Sequence, residues 1–134
     1  MSVKQDYPGC IRMRSTHSVP DTMGRLEATL AQHGIAVSAR IDFSADAARV
    51  GLQMRPEQRL VIGNPKAGTP LMQQVPAVGL DLPLKVLVWE DEQGQTWMVY
   101  NDPRYILQRY GLDGSRAERL AGALALLEVA AGTP

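Results

Sequence analysis

Cysteine occurs once in the 134 residues, at Cys10, so the chain can close no internal disulfide and assemble no thiolate metal cluster. Histidine occurs twice, at His17 and His33, without the H-x-x-x-H spacing of a helical zinc site, so no metal ligand set is expected. Neither sign of charge is in excess: Lys+Arg and Asp+Glu number 14 each. That balance argues against a general electrostatic hold on nucleic acid or an anionic membrane, although local basic patches remain open. No uncharged apolar run approaches the length of a bilayer span. The opening residues Met1 to Gly9 lack the apolar core of a signal peptide, and the expected location is the cytoplasm.

What is present describes an ordinary globule, 45% apolar and 21% charged, of a size that buries roughly two thirds of its unfolded surface. Residues 1–134 are expected to form one domain. Residues 1–9, polar and carrying Pro8-Gly9, make a loose lead-in. From Cys10 to Thr16 apolar and basic residues alternate, with Ile11 and Met13 on one face and Arg12 and Arg14 on the other. This is a half-buried strand. Ser18, Pro20 and Asp21 form a helix start, Met23, Leu26 and Leu30 follow at helical spacing, and Gly34 stops the helix. Ile35 to Phe43 is expected as a strand with Ile35, Val37, Ala39 and Ile41 on one face, followed by a short helix capped by Ser44.

The rest of the chain turns on residues 59–72. Leu60-Val61-Ile62 is a short apolar run without alternation, which predicts a central strand buried on both faces. It stops at Gly63-Asn64-Pro65 and resumes at Pro70-Leu71-Met72, which predicts a tight loop opening a helix over 70–74. Leu84 to Glu90 and Thr96 to Tyr100, joined by turn residues around Gly94, predict a β-hairpin. Asp102 and Pro103 start a further helix, and Ser115 with Glu118 forms a capping box for a last helix to about Ala131. The fold class is α+β: a two-layer α/β sandwich, with a mixed sheet of about five strands and helices packed on one face.

The chemistry is concentrated in the loop. Gly63 to Gly68 has the G-x-x-x-x-G spacing of a phosphate-binding loop, but Thr69 and Pro70 stand where the lysine and hydroxyl residue belong, and Lys66 lies inside the loop. Nucleotide hydrolysis is therefore not expected. One alternative is a turn whose glycines serve geometry alone. The other is a pocket for a small anionic ligand, in which Gly63, Asn64, Lys66, Gly68 and Thr69 face a helix N-terminus. A second functional reading is a small enzyme using His17 with Asp42 or Asp81 as an acid–base pair, against the commoner use of such residues as caps. A third is a structural or assembly module without a ligand. No cofactor is implied.

Five stretches occur in order: Thr16-His17-Ser18-Val19-Pro20, Ala39-Arg40-Ile41-Asp42, Gly63 to Pro70, Leu80 to Leu84, and Tyr100-Asn101-Asp102-Pro103. In combination they resemble the domain of unknown function 302 family of bacteria and archaea. The resemblance covers about Met13 to Leu112, giving a family-like core over 10–112 and a C-terminal helix over 113–134. It implies a small two-layer domain, often oligomeric, with no established activity. In the last helix Leu120, Leu124 and Leu127 form one apolar stripe and Leu126 and Val129 a second, so a homo-oligomer, most simply a dimer, is expected.

Overall fold

The computed structural model describes residues 3–4 and 7–132. Among the described residues six strands form one sheet: β1 (Val3–Lys4), β2 (Cys10–Ser15), β3 (Ala36–Asp42), β4 (Glu57–Gly63), β5 (Leu84–Glu90) and β6 (Thr96–Asn101). Their order across the sheet is β1-β2-β6-β5-β4-β3, and every neighbouring pair is antiparallel, so the sheet is not mixed. Strands β3 to β6 follow one another as a meander. β2 then pairs with the far side of β6, with Met13 opposite Met98. Residues 3–4, expected to be loose, instead add a short edge strand with Val3 opposite Met13.

The helices are α1 (Val19–Gln32), α2 (Phe43–Arg49), α3 (Pro65–Gln74), α4 (Pro103–Arg109), α5 (Ala117–Ala121) and α6 (Leu127–Ala131). All but α2 contribute to one core on a single face of the sheet, where Met23, Leu26 and Leu30 of α1 meet Leu60, Val86 and Met98 from the strands. Met23, Leu26, Leu30, Leu71, Leu107 and Leu127 are fully enclosed. Each such side chain stabilises the fold by about 1.5–3 kcal/mol relative to exposure. This is the α+β two-layer arrangement that the element pattern predicts.

Helix α1 starts as expected, with Ser18 Oγ accepting from Asp21 N at 3.2 Å, and ends at Gly34 with φ +68°. His33 Nδ1 lies 2.9 Å from Thr29 O at its C-terminus. Other expectations fail for local reasons. α2 is capped by Asp42, whose Oδ1 accepts from Ala45 N at 2.9 Å, rather than by Ser44. In β3 the register shifts between Val37 and Ala39, a bulge at Ser38. Val37 therefore faces Ile62 while Ala39 faces Val61, and the predicted common face does not exist, because one extra residue inverts the side-chain alternation. β4 is interior to the sheet, but only Gln58, Leu60 and Ile62 are buried; Val61 is half-buried on the sheet's other face. The last helix is broken into α5, a 3-10 turn over Gly122–Leu126, and α6, with Asp113 rather than Ser115 capping the preceding turn. Leu120, Leu124 and Leu127 are buried, Leu126 packs against the core, and Val129 is 66% exposed. The second stripe thus finds cover within its own chain apart from one residue.

Candidate functional site

The segment after β4 folds differently from the loop its glycines suggest. Asn64 is an N-cap, accepting from Ala67 N at Oδ1 (3.3 Å), and Pro65 occupies the first helical position. α3 thus begins five residues before Pro70, which lies inside the helix. Asparagine before proline is the same signal that Asp102-Pro103 gives at α4; the second proline, Pro70, masks it in the sequence.

The early start takes up donors that an anion would use. Pro65 has no N–H, Ala67 N is bound by Asn64, and Gly68 N donates to Asn64 O at 2.9 Å. Lys66 is exposed, at the second helical position.

What the segment does form is one wall of a cavity of about 230 Å³. Gly63, Asn64, Gly68 and Thr69 all line it, and Lys66 does not. Opposite them stand Ile62, Met72, Leu82, Leu84 and Leu120, with Ser38 of the bulge at the rim. No lysine, arginine or histidine is among the lining residues. Gly68 is buried, and a side chain placed there would meet Leu82 Cδ1 and Met72 Cε at 3.8 Å. The residues the sequence missed, Ser38, Leu82, Leu84, Leu120 and Ala123, come from three separate segments. No local pattern joins them.

The acid–base residues are not brought together. His17 follows β2, its Nδ1 is 3.1 Å from Asp21 Oδ2, and its ring lies against Gly132. Asp42 ends β3, the opposite edge strand, and three strands stand between β3 and β2. Hydrogen bonds from Ser44 Oγ and Ala45 N hold the Asp42 carboxyl below its ordinary range. Asp81 lies in the turn before β5, where Oδ2 accepts from Tyr110 Oη at 2.7 Å and Arg109 Nη1 at 2.9 Å. Asp42 thus caps α2, Asp81 joins the turn before β5 to α4 and Tyr110, and His17 pairs with Asp21.

A shallower hollow of about 380 Å³ lies between the end of β6 and the C-terminal segment, with Tyr100, Asp102, Glu118 and Glu128 on its walls. Burial, then the carboxylates of Asp102 and Glu128, push the Tyr100 phenol above its ordinary value. Asp102 itself caps α4 through Arg104 N at 2.9 Å. Among the described residues, no group of three or more His, Cys, Asp and Glu side chains is placed to hold a metal ion.

Comparison with known proteins decides the family. The family model "Domain of unknown function DUF302" matches residues 11–127. The chain belongs to the DUF302 family. The match passes Leu112, so much of the C-terminal helical segment is family sequence. A crystal structure of an uncharacterized conserved DUF302 protein from Bacillus stearothermophilus superposes with a TM-score of 0.75 over 94% of this chain and 98% of that one, at 21% identity. The fold is therefore the DUF302 fold. Longer relatives are similar in sequence. The protein named fluoride-specific ion channel FluC 1 of Brucella suis biovar 1 (strain 1330) is 40% identical over 104 residues, which are 78% of this chain and 41% of that protein. FluC 1 of Brucella abortus biovar 1 (strain 9-941) matches at 40% over 104 residues, 38% of its length. The chain thus spans about two fifths of the curated relatives it matches. No helix among its described residues is long and apolar enough to cross a membrane.

Proposed function

We propose that this DUF302 chain binds a small, mostly apolar molecule in the cavity beside Gly63–Thr69. One observation carries the reading: the glycines and the threonine singled out by sequence line a concave site whose remaining walls are aliphatic. The volume is below the roughly 300–1,000 Å³ usual for drug-sized ligands, so the ligand is small. Ser38, Asn64 and Thr69 offer hydroxyl and amide groups for one polar end. The anionic ligand expected from the loop keeps less support, since Lys66 stands outside the cavity and the N–H groups of Ala67 and Gly68 are bonded to Asn64.

Hexanol, hexanoate and hexylamine share one apolar body and differ in head-group charge. Thermal shifts should favour the alcohol over both ions, and Gly68→Leu should abolish the response while keeping the fold. A shift for hexanoate above that for hexanol would restore the anion reading. Equal responses in wild type and Gly68→Leu would remove the site.

A second reading rests on the relatives. In the Brucella proteins a segment 40% identical to this chain is part of a longer polypeptide named as a fluoride-specific channel. On that reading the domain serves fluoride handling beside a channel rather than as its pore. Sodium fluoride should then shift the melting temperature more than sodium chloride at matched ionic strength.

A further inference from the structure

Thr16, His17 and Ser18 border a separate cavity of about 320 Å³, where the ends of β2, β6 and β5 meet the start of α1. Register sets Ser15, Thr96 and Glu90 side by side across those three strands. They share the face of Met13, Met98 and Val88, so they point toward the helical layer. Ser15 Oγ lies 2.7 Å from Thr22 Oγ1, which brings the first turn of α1 over this row. Gly94 apart, every residue lining the cavity has a polar side chain.

Several polar groups here have no partner among the described residues. Thr96 lines the cavity, is only 4% exposed, and its hydroxyl makes no hydrogen bond. A hydroxyl withdrawn from water in this way is unfavourable unless a ligand atom satisfies it. Glu90, half-buried at one end of the row, forms no ion pair. At the other end, Asp21 N and Thr22 N are bound by Ser18, but Ser18 N and Val19 N have no acceptor. α1 is 14 residues long, so its positive dipole end stands behind these donors. The Asp21 carboxylate in the same turn is engaged by His17 and Arg25. Donors suited to an anion and an acceptor suited to a cation thus stand at opposite ends of one polar cavity.

We propose that this cavity binds a small polar α-amino acid, its carboxylate at the start of α1, its ammonium on Glu90, and Thr96 Oγ1 between them. Charge decides the class. A lone anion would share the cavity with the Glu90 carboxylate, and a lone cation would share it with Arg14 and the helix dipole, so one wall opposes each. A zwitterion suits both walls. Length agrees as well. Ser15 and Glu90 are two strand spacings apart, about 10 Å. An α-amino acid with a hydrogen bond at each end spans about 9 Å. A polar side chain on the ligand matches the remaining Thr16, His17 and Gln95. This site shares no lining residue with the aliphatic cavity beside Gly63–Thr69 and stands or falls without it.

Serine, hydroxypropionate and ethanolamine test the pairing, because the last two each lack one of serine's charged groups. Isothermal titration calorimetry should show serine binding saturably below about 20 mM, and each analogue at least about tenfold more weakly. Thr96→Val keeps the side-chain shape without the hydroxyl and should weaken serine binding at least about tenfold, with circular dichroism unchanged. Glu90→Gln should weaken serine by about tenfold or more and leave hydroxypropionate no weaker than in wild type. Should Thr96→Val unfold, Glu90→Gln at its half-buried position decides. The absence of saturable serine binding overturns the proposal. So does an analogue that binds as tightly as serine, which would make this a plain anion or cation site, or serine binding unchanged in either folded variant.

Discussion

Trp97 Nε1 donates to Asp91 Oδ2 at 2.8 Å, joining the outer face of the sheet to the turn of the β5–β6 hairpin. The other carboxylate oxygen of Asp91 accepts from Gln93 N and Gln95 N, each at 2.9 Å. One side chain thus closes the turn and fixes an indole. These bonds, Trp97's first, hold the Asp91 carboxyl below its ordinary value. A carboxyl lowered on folding stabilises above its unfolded pKa, about 3.9, and loses that contribution as pH falls through the lower folded value. Asp91→Asn should therefore lower the melting temperature at neutral pH and flatten its dependence on pH below about 4. Tryptophan emission should shift in the variant at pH 7 as well.

The Tyr110–Asp81 contact gives the opposite pH dependence. The hydrogen bond from Tyr110 Oη to Asp81 is the main reason the phenol titrates above its ordinary value. A phenol raised on folding stabilises below its unfolded pKa, about 10, and loses that contribution as pH climbs through the higher folded value. Wild type should melt above Tyr110→Phe at pH 8, and the gap should close in strongly alkaline buffer. A gap independent of pH would assign the loss to packing.

Leu127 is fully buried in α6, within a segment that looks from the sequence like a helix added to a finished core. Leu127→Ala should cost about 3 kcal/mol, as a cavity in a true core does, lowering the melting temperature by roughly 10 °C. A loss under about 1 kcal/mol would make the segment an appendage.

Gly132 ends α6 with φ +71°, and a methyl there would collide with His17 Nε2 and Thr16 Oγ1. Thr16 N and Oγ1 both donate to Ala131 O, at 2.9 and 3.1 Å. Gly132→Ala should destabilise by about 1–3 kcal/mol, from backbone strain and the clash together. Thermal melts of that variant beside Gly24→Ala, whose Cβ would meet nothing within 4 Å, separate a constrained glycine from a permissive one.

Elements governed by their own neighbours are legible from sequence. Ser18 and Gly34 bound α1, alternation gives β2, and Gly94 marks the hairpin, because each signal acts over a few residues. The misreadings arise where two local signals compete or a distant partner decides. Pro70 hides the helix start at Asn64-Pro65. The Ser38 bulge shows only against β4. Strand direction depends on the sheet order, which no stretch of sequence states. The candidate site was half legible. Gly63, Asn64, Gly68 and Thr69 do line a cavity, but Leu82, Leu84 and Leu120 reach it through the fold alone, and they replace the expected polar lining with an aliphatic one.

The place of β2 beside β6 also sets an order of events during synthesis. The meander from β3 to β6 pairs only strands consecutive in the chain, so each of its connections is far shorter than the one from β2 to β6 and less costly to close. β2 leaves the ribosome before any of these, yet its longest ladder waits for residues 96–101, and Thr16 waits for Ala131. At about 5–20 residues per second, the apolar side of residues 10–30 stays uncovered for several seconds. Residues 10–30 are therefore open to aggregation until residues 96–131 arrive. Refolding should show the same asymmetry, with β4, β5 and β6 ordered in the transition state and β2 joining after it.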